Sequence, residues 1–171
     1  CGGRGTGAAG DALRAKGVQA KLVAMADTFK DRLDSSYKQL TGSKDLAAKI
    51  DVPADRQFVG FDAYKHALDC LKPGDVVIFA TPLAFRWVHF QYAISKGLNV
   101  FMEKPLSADG FASRKLLKLA EDAKAKNLKV GVGLMSRHHR PLQELQKRIA
   151  DGAIGDIMLM RGYRMHDVVG T

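Results

Sequence analysis

Short, almost wholly apolar segments alternate with helix-like segments along this chain. The clearest are Asp75–Ala80 and Asn99–Met102, and helical patterns follow them at Phe85–Lys96 and Asp109–Lys126. Strands that are apolar on both sides are typical of parallel sheets covered by helices on both faces. The alternation therefore predicts an α/β fold built on a doubly wound parallel sheet.

The predicted topology selects the places where a ligand would bind. Further strands are predicted over Val18–Ala26, Gln57–Gly60 and Lys129–Leu134. In doubly wound sheets, ligands bind at the carboxyl ends of the strands. Three segments meet that rule: the glycine-rich turn Gly2–Gly7, the pair Thr81-Pro82, and the triplet Glu103-Lys104-Pro105.

The glycine-rich turn has the pattern of a dinucleotide-binding fingerprint. From Gly3 it reads G-x-G-x-x-A, and a glycine before Cys1 would make a G-x-G-x-x-G frame ending at Gly5. In either frame the glycines let the backbone approach a pyrophosphate at a helix N-terminus, as in a Rossmann-type fold. The motif is weak alone, and an ordinary flexible turn is the alternative.

Asp27 strengthens the dinucleotide interpretation. It follows the strand predicted over Val18–Ala26, 22 residues after Gly5. A carboxylate about 20 residues beyond the fingerprint accepts hydrogen bonds from the adenosine ribose and repels a 2′-phosphate. Asp27 therefore predicts NAD, while the nearby Lys30 and Arg32 leave NADP open. A role as the cap of the next helix is the alternative.

Lys104 comes directly after a strand predicted to be buried. We expect a lysine there to be partly desolvated and close to a bound ligand, where it can donate a proton to a substrate hydroxyl. The alternative is a lysine whose ammonium simply reaches solvent from the strand end.

Composition favours no competing class of protein. The chain has 171 residues, of which 46% are hydrophobic, and a net charge of +9. The basic residues are scattered over predicted helix faces, so we expect neither nucleic acid nor a membrane as a partner. Cys1 and Cys70 lack metal-ligand spacing, and the run Arg137–Arg140 lacks acidic or thiol partners, so no metal site is expected.

Together these segments resemble the glucose-fructose oxidoreductase / inositol dehydrogenase family (Gfo/Idh/MocA-type). In that family a Thr-Pro pair follows the fourth strand and a Glu-Lys-Pro triplet follows the fifth, and order and spacing match here. The segment Gly152–Ile157 is similar to the family's passage into its second domain. The matching residues are Ala80-Thr81-Pro82 and Gly97–Leu106.

The resemblance implies a nicotinamide-dependent oxidoreductase that oxidises a secondary alcohol of a sugar, inositol or related polyol. Lys104 would be the catalytic residue that polarises the substrate hydroxyl, and the Lys104–Pro105 bond is expected to be cis. Asp27 would bind the adenosine ribose, and Arg137 is a weaker candidate for the nicotinamide end. The other implied cofactor-binding residues are Gly3, Arg4, Gly5, Thr81, Pro82 and Glu103.

Other functions remain open at this stage. One is a glycosidase that uses bound NAD for transient oxidation and elimination, although the intact Glu-Lys-Pro triplet argues against it. Another is a non-catalytic protein that binds NAD or a sugar. Nucleic-acid binding is a third, and it would show a strong salt dependence.

The domain boundaries follow from the same resemblance. Residues 1–135 are expected to form the Rossmann domain without its first strand, and 136–171 to begin an α+β substrate and oligomerisation domain. The family's second motif, an Asp followed four residues later by a His in the second domain, does not occur within residues 136–171, and His166-Asp167 has the wrong order. We therefore expect the general base beyond Thr171, an inactive chain in isolation, and a homo-oligomer in the full-length protein. A cytoplasmic location is expected, with export left open.

Overall fold

The computed structural model describes residues 1–163 and residue 165, which fall into two compact units. The first unit comprises Cys1–Gly133, and the second begins at Leu134. The first unit contains every strand of the described residues and every candidate site residue except Arg137.

Helices and strands alternate in the first unit, which confirms the predicted α/β class. The polar segment Thr41–Asp55 is predicted from the sequence to be a loop with a short helix, and it contains the 3-10 turn Ala47–Lys49; a second such turn covers Ala54–Arg56. The regular elements are α1 Gly2–Arg14, β1 Met25–Asp27, α2 Lys30–Gly42, β2 Gln57–Val59, α3 Ala63–Asp69, β3 Val76–Phe79, α4 Leu83–Ser95, β4 Asn99–Met102, α5 Gly110–Ala125 and β5 Val130–Val132.

All the strand pairs are parallel, but the strands lie in two sheets. One sheet contains β1 and β2, and the other has the order β3-β4-β5. The sequence predicts a sheet without one central strand, and these two sheets share no ladder pair among the described residues. In the larger sheet Phe79 lies opposite Met102, and Met102 opposite Val132, so the carboxyl ends of the three strands are level.

Two apolar clusters hold the helices against the strands. One packs α4 and α5 on the three-stranded sheet, with Phe90, Leu98 and Met102 almost fully buried. The other packs α1 and α2 against β1 around Leu33 and Leu46. Because burial of each large apolar side chain contributes about 2 kcal/mol, these clusters fix the helix ends beside the strand ends where the candidate site lies.

The glycine-rich segment departs from the prediction. It was expected to form a turn before the helix, but α1 begins at Gly2 and includes Gly3, Gly5 and Gly7. Glycine costs about 1 kcal/mol per position in a helix relative to alanine. Burial of the helix face that carries Thr6, Ala8 and Leu13 offsets that cost, so tertiary packing overrides local propensity here.

The second unit contains two helices, α6 Met135–His138 and α7 Arg140–Ala150. The sequence predicts a helix over Pro141–Ala150 that Gly152 stops, and α7 does end before Gly152, which has a φ of +81°. The sequence also predicts a strand over Ile157–Met165, but residues 157–163 and 165 have no regular structure, so this prediction is wrong for them. A strand needs a neighbour to pair its backbone groups, and the described part of this unit offers none. His166-Asp167 lies outside the described residues.

Candidate active site

The start of α1 lies against the carboxyl ends of β3 and β4. A Cβ placed on Gly5 would be 3.5 Å from the Cβ of Ala80, which follows β3. The Arg4 side chain reaches Glu103, which follows β4, at 2.7 Å. The three segments that the sequence selects separately therefore form one site at this edge of the first unit.

One glycine at the start of α1 has a structural reason to be glycine. Gly2 has a φ of +67°, in the left-handed region that favours glycine, whereas a Cβ on Gly5 would make an ordinary van der Waals contact with Ala80. A Cβ on Gly3 would meet nothing within 4 Å. The structure thus favours the frame that ends at Gly5, in which Gly2 occupies a glycine position. Gly2 was not among the predicted site residues, although that frame contains it.

Asp27 is the last residue of β1, and its carboxylate lies beside the start of α1. Its Oδ2 is 3.0 Å from the Cys1 amino nitrogen, and its Oδ1 accepts a hydrogen bond from the Phe29 N–H at 3.0 Å. Burial favours the protonated acid. The hydrogen bond from the Phe29 N–H and the positive charge of Arg32 favour the carboxylate, and the pKa of Asp27 lies below its usual value. The side chain is therefore ionised at neutral pH.

Glu103 is buried and is held in place from two sides. Arg4 donates to Glu103 Oε1 from Nε at 2.8 Å, and its other contacting nitrogen lies at 2.7 Å. A Cβ added to Gly133 would lie 2.7 Å from the same oxygen. Gly133 thus leaves the space that the Glu103 carboxylate occupies, and the carboxylate in turn orients Arg4.

Lys104 is exposed, so the expectation of a partly desolvated lysine is wrong for this structure. β4 ends at Met102, two residues earlier, and the side chain leaves the sheet where the described chain does not cover it. The Lys104–Pro105 peptide bond is cis, as predicted. The ammonium is available to a ligand that occupies this edge.

Arg86 was not a candidate in the sequence analysis, yet it connects two of the predicted segments. It lies on α4 and is only 2% exposed. It donates to the Thr81 carbonyl oxygen at 2.5 Å, to the Glu103 carbonyl oxygen, and to the Pro105 carbonyl oxygen at 3.3 Å. One feature of the sequence could have indicated Arg86: it is an arginine inside the otherwise apolar helical pattern that follows Thr81-Pro82.

Thr81 and Pro82 connect β3 to α4. Pro82 caps α4 without a side-chain hydrogen bond. Three buried polar atoms in this region have no hydrogen-bond partner among the described residues, namely Thr81 Oγ1, Arg86 Nε and His89 Nδ1. Buried polar atoms are normally hydrogen-bonded, so the Thr81 hydroxyl is free to bond a bound molecule at the strand end.

His89 lies behind this edge among aromatic rings. Its ring centroid is 4.1 Å from that of Tyr64 and 5.8 Å from that of Phe79. Burial and the nearby positive charge of Arg86 lower the pKa of His89 to about 4. The imidazole is therefore neutral at physiological pH and belongs to the packing that supports α4.

Arg137 lies on α6 in the second unit and is exposed. Its carbonyl oxygen accepts a hydrogen bond from Gln143 Nε2 at 2.8 Å. Its predicted role at the nicotinamide end stays a prediction.

The hydrogen-bonding and charged groups at this edge match the chemistry of a dinucleotide. The first turn of α1 has no side-chain cap, so its backbone N–H groups are open to a phosphate. The ionised Asp27 suits ribose hydroxyls, and the Thr81 hydroxyl and Lys104 ammonium lie along the same strand ends. Within the described residues, no three His, Cys, Asp or Glu side chains group as metal ligands, and no helix has the length and apolarity to cross a membrane.

The fold is a parallel α/β fold of the Rossmann type. No family model matches the sequence. Inositol 2-dehydrogenase from Corynebacterium glutamicum is 29% identical over 96 residues, which are 56% of this chain and 28% of that protein. The chain therefore spans under a third of the length of this relative.

Solved structures agree with this relationship. Myo-inositol 2-dehydrogenase from Lactobacillus plantarum superposes with a TM-score of 0.62 at 25% identity, covering 84% of this chain and 37% of that one. The fold is also that of scyllo-inositol dehydrogenase from Lactobacillus casei, solved with NAD(H) and scyllo-inositol, at a TM-score of 0.62 and 23% identity over 89% and 39% of the two chains. Sequence and fold are thus both similar to those of inositol dehydrogenases.

Proposed function

We propose that this chain is the cofactor-binding part of a nicotinamide-dependent oxidoreductase that oxidises a secondary alcohol of a sugar, inositol or related polyol. One observation carries the proposal: Lys104 follows β4 beside a glutamate that is ion-paired to the first turn of α1. In this proposal the Lys104 ammonium lies near the groups that would bind the phosphates and the ribose of the cofactor. The similarity to inositol 2-dehydrogenase supports an inositol-like substrate.

The residues fit NAD better than NADP. The open N–H groups at Gly2 and Gly3 suit a pyrophosphate, whose negative charge the α1 dipole favours. Asp27 is ionised and would accept hydrogen bonds from ribose hydroxyls while repelling a 2′-phosphate. When bound, the nicotinamide ring supplies the hydride acceptor.

Lys104 orients and polarises the substrate in this proposal. Its ammonium donates a hydrogen bond to the oxygen of the reacting carbinol, which stabilises the negative charge that develops as the alcohol proton leaves. The proton passes to a base that belongs to the rest of the protein. The exposure of Lys104 suits this role, because a substrate that covers the edge would exclude water from the ammonium.

The test follows the absorbance of the reduced nicotinamide in the full-length protein. NAD and NADP are each offered with a panel of inositols, aldoses and amino sugars. We expect reduction of NAD by at least one inositol or sugar, and slower reduction of NADP. Failure with every substrate, in protein that purifies with tightly bound cofactor, would overturn the dehydrogenase and favour a glycosidase that recycles its NAD.

A further inference from the structure

Arg86 is an unusual residue for the interior of a helix that packs on a sheet. It is 2% exposed, and no carboxylate lies within ion-pair distance of it among the described residues. Burial lowers its pKa, and the negative charge of Glu103 acts in the opposite direction. Buried arginines are rare unless their donors are used, so the contacts of this guanidinium indicate what it is for.

Those contacts are three backbone carbonyl groups in the two loops of the candidate site. One belongs to Thr81 at the end of β3, and the other two belong to Glu103 and Pro105. The residue between the last two is Lys104. The flat guanidinium presents donors in a fixed fork, and here the fork holds the backbone on both sides of the lysine while it also holds the neighbouring loop.

We propose that Arg86 is a positioning residue that sets the location of Lys104 relative to Thr81 and the substrate. This inference rests on the proposed function, because it assigns Lys104 a partner in the same reaction. The Lys104 side chain makes no hydrogen bond or ion pair within residues 1–163 and 165. Its direction therefore depends on the backbone from which it extends, and Arg86 fixes that backbone.

A double-mutant cycle in the full-length protein tests this inference. Turnover with NAD and a polyol is measured for the wild type, Arg86→Lys, Lys104→Ala and the double variant. Arg86→Lys keeps the positive charge, but a single ammonium cannot bond all three carbonyl oxygens in the same geometry. We expect Arg86→Lys to lower kcat by about 10- to 100-fold, because small misplacements of a reacting group have effects of that size.

The cycle and the binding data separate positioning from simple stabilisation. In the Lys104→Ala background we expect Arg86→Lys to change kcat by less than about threefold, since interacting residues are not additive. The Kd for NADH, followed by its fluorescence, should stay within about threefold of wild type. Arg14→Lys is the matched control, because Arg14 is an exposed arginine on α1 that pairs with Asp45, and it should change none of these quantities.

Three results would overturn the inference. The first is an equal loss of kcat in both Lys104 backgrounds, and the second is a loss of NADH affinity that accounts for the loss of turnover. The third is unfolding of both Arg86→Lys and Arg86→Gln, judged by circular dichroism, which would make Arg86 a purely structural residue. If Lys104→Ala itself leaves turnover unchanged, the proposed function fails, and the inference fails with it.

Discussion

Arg4 and Glu103 are 99 residues apart in the sequence, and their side chains form an ion pair at 2.7 Å. The pair joins the first turn of α1, where a phosphate would bind, to the segment that carries Lys104. It unites the two halves of the candidate site. The Glu103 side chain is buried, whereas that of Arg4 is 58% exposed. The contribution of the pair to stability therefore depends mainly on the need of the buried carboxylate for a partner.

Removal of Arg4 should affect stability through the acid that it leaves behind. Arg4→Ala deprives the buried Glu103 carboxylate of its partner, and we expect the free energy of unfolding to fall by about 1–3 kcal/mol. Chemical denaturation monitored by circular dichroism measures the change. Arg14→Ala is the control, since it breaks an ion pair from the same helix between two exposed side chains and should have little effect. Equal losses in the two variants would contradict a special role for the Arg4–Glu103 pair.

Asp27 should determine the preference between the two nicotinamide cofactors. Asp27→Ala removes the acceptor for ribose hydroxyls and the charge that repels a 2′-phosphate. We expect the Kd for NADH to rise about tenfold, which corresponds to a loss of roughly 1.4 kcal/mol of binding free energy. We also expect the preference for NADH over NADPH to become smaller. Fluorescence titration gives both constants. Asp34→Ala on the exposed face of α2 should leave the ratio unchanged, and an unchanged ratio in Asp27→Ala would remove the ribose assignment.

Lys104 should affect turnover far more than cofactor binding. Without its ammonium the developing charge on the substrate oxygen loses a hydrogen-bond donor, and we expect Lys104→Ala to lower kcat by about 10²- to 10⁴-fold. The Kd for NADH should change little. Lys118→Ala, at an exposed position on α5, controls for the loss of one positive charge. Wild-type turnover in Lys104→Ala would exclude this lysine from the mechanism.

His89 should make stability depend on pH in the mildly acidic range. Its pKa is lowered from 6.5 to about 4 in the folded chain. Between these values the unfolded state binds a proton that the folded state does not, so the free energy of unfolding falls as the pH decreases from about 6.5 to 4. His89→Phe cannot take up this proton. The stability difference between wild type and His89→Phe should therefore change by up to about 3 kcal/mol across that window and stay constant above it.

Urea unfolding at intervals between about pH 4 and 8 tests the His89 prediction. Subtracting the pH dependence of His89→Phe from that of the wild type removes the contribution of the carboxyl groups that titrate over the same range. His66→Gln is the control, because His66 is exposed and its loss should leave the pH dependence of the wild type intact. A difference that stays constant at every pH would show that folding does not perturb the pKa of His89.

The sequence by itself determined the class of fold and the order of the elements. The apolar segments Asp75–Ala80 and Asn99–Met102 are local signals, and the structure has strands at 76–79 and 99–102. The motifs Thr81-Pro82 and Glu103-Lys104-Pro105 could be placed at strand ends because each immediately follows such a segment. Asp27 could be proposed as a candidate because it also follows a predicted strand, and because its distance from the glycines can be counted along the chain.

Only the tertiary structure decided how these segments meet. The helical start at Gly2 depends on the packing of α1, and the contacts of Arg4 and Arg86 join residues that no local pattern links. The exposure of Lys104 depends equally on what surrounds the end of β4. Periodicity and spacing report on neighbours within a few turns of the chain, whereas the burial of a charge and the choice of its partner are set by side chains brought together only when the sheets and helices pack.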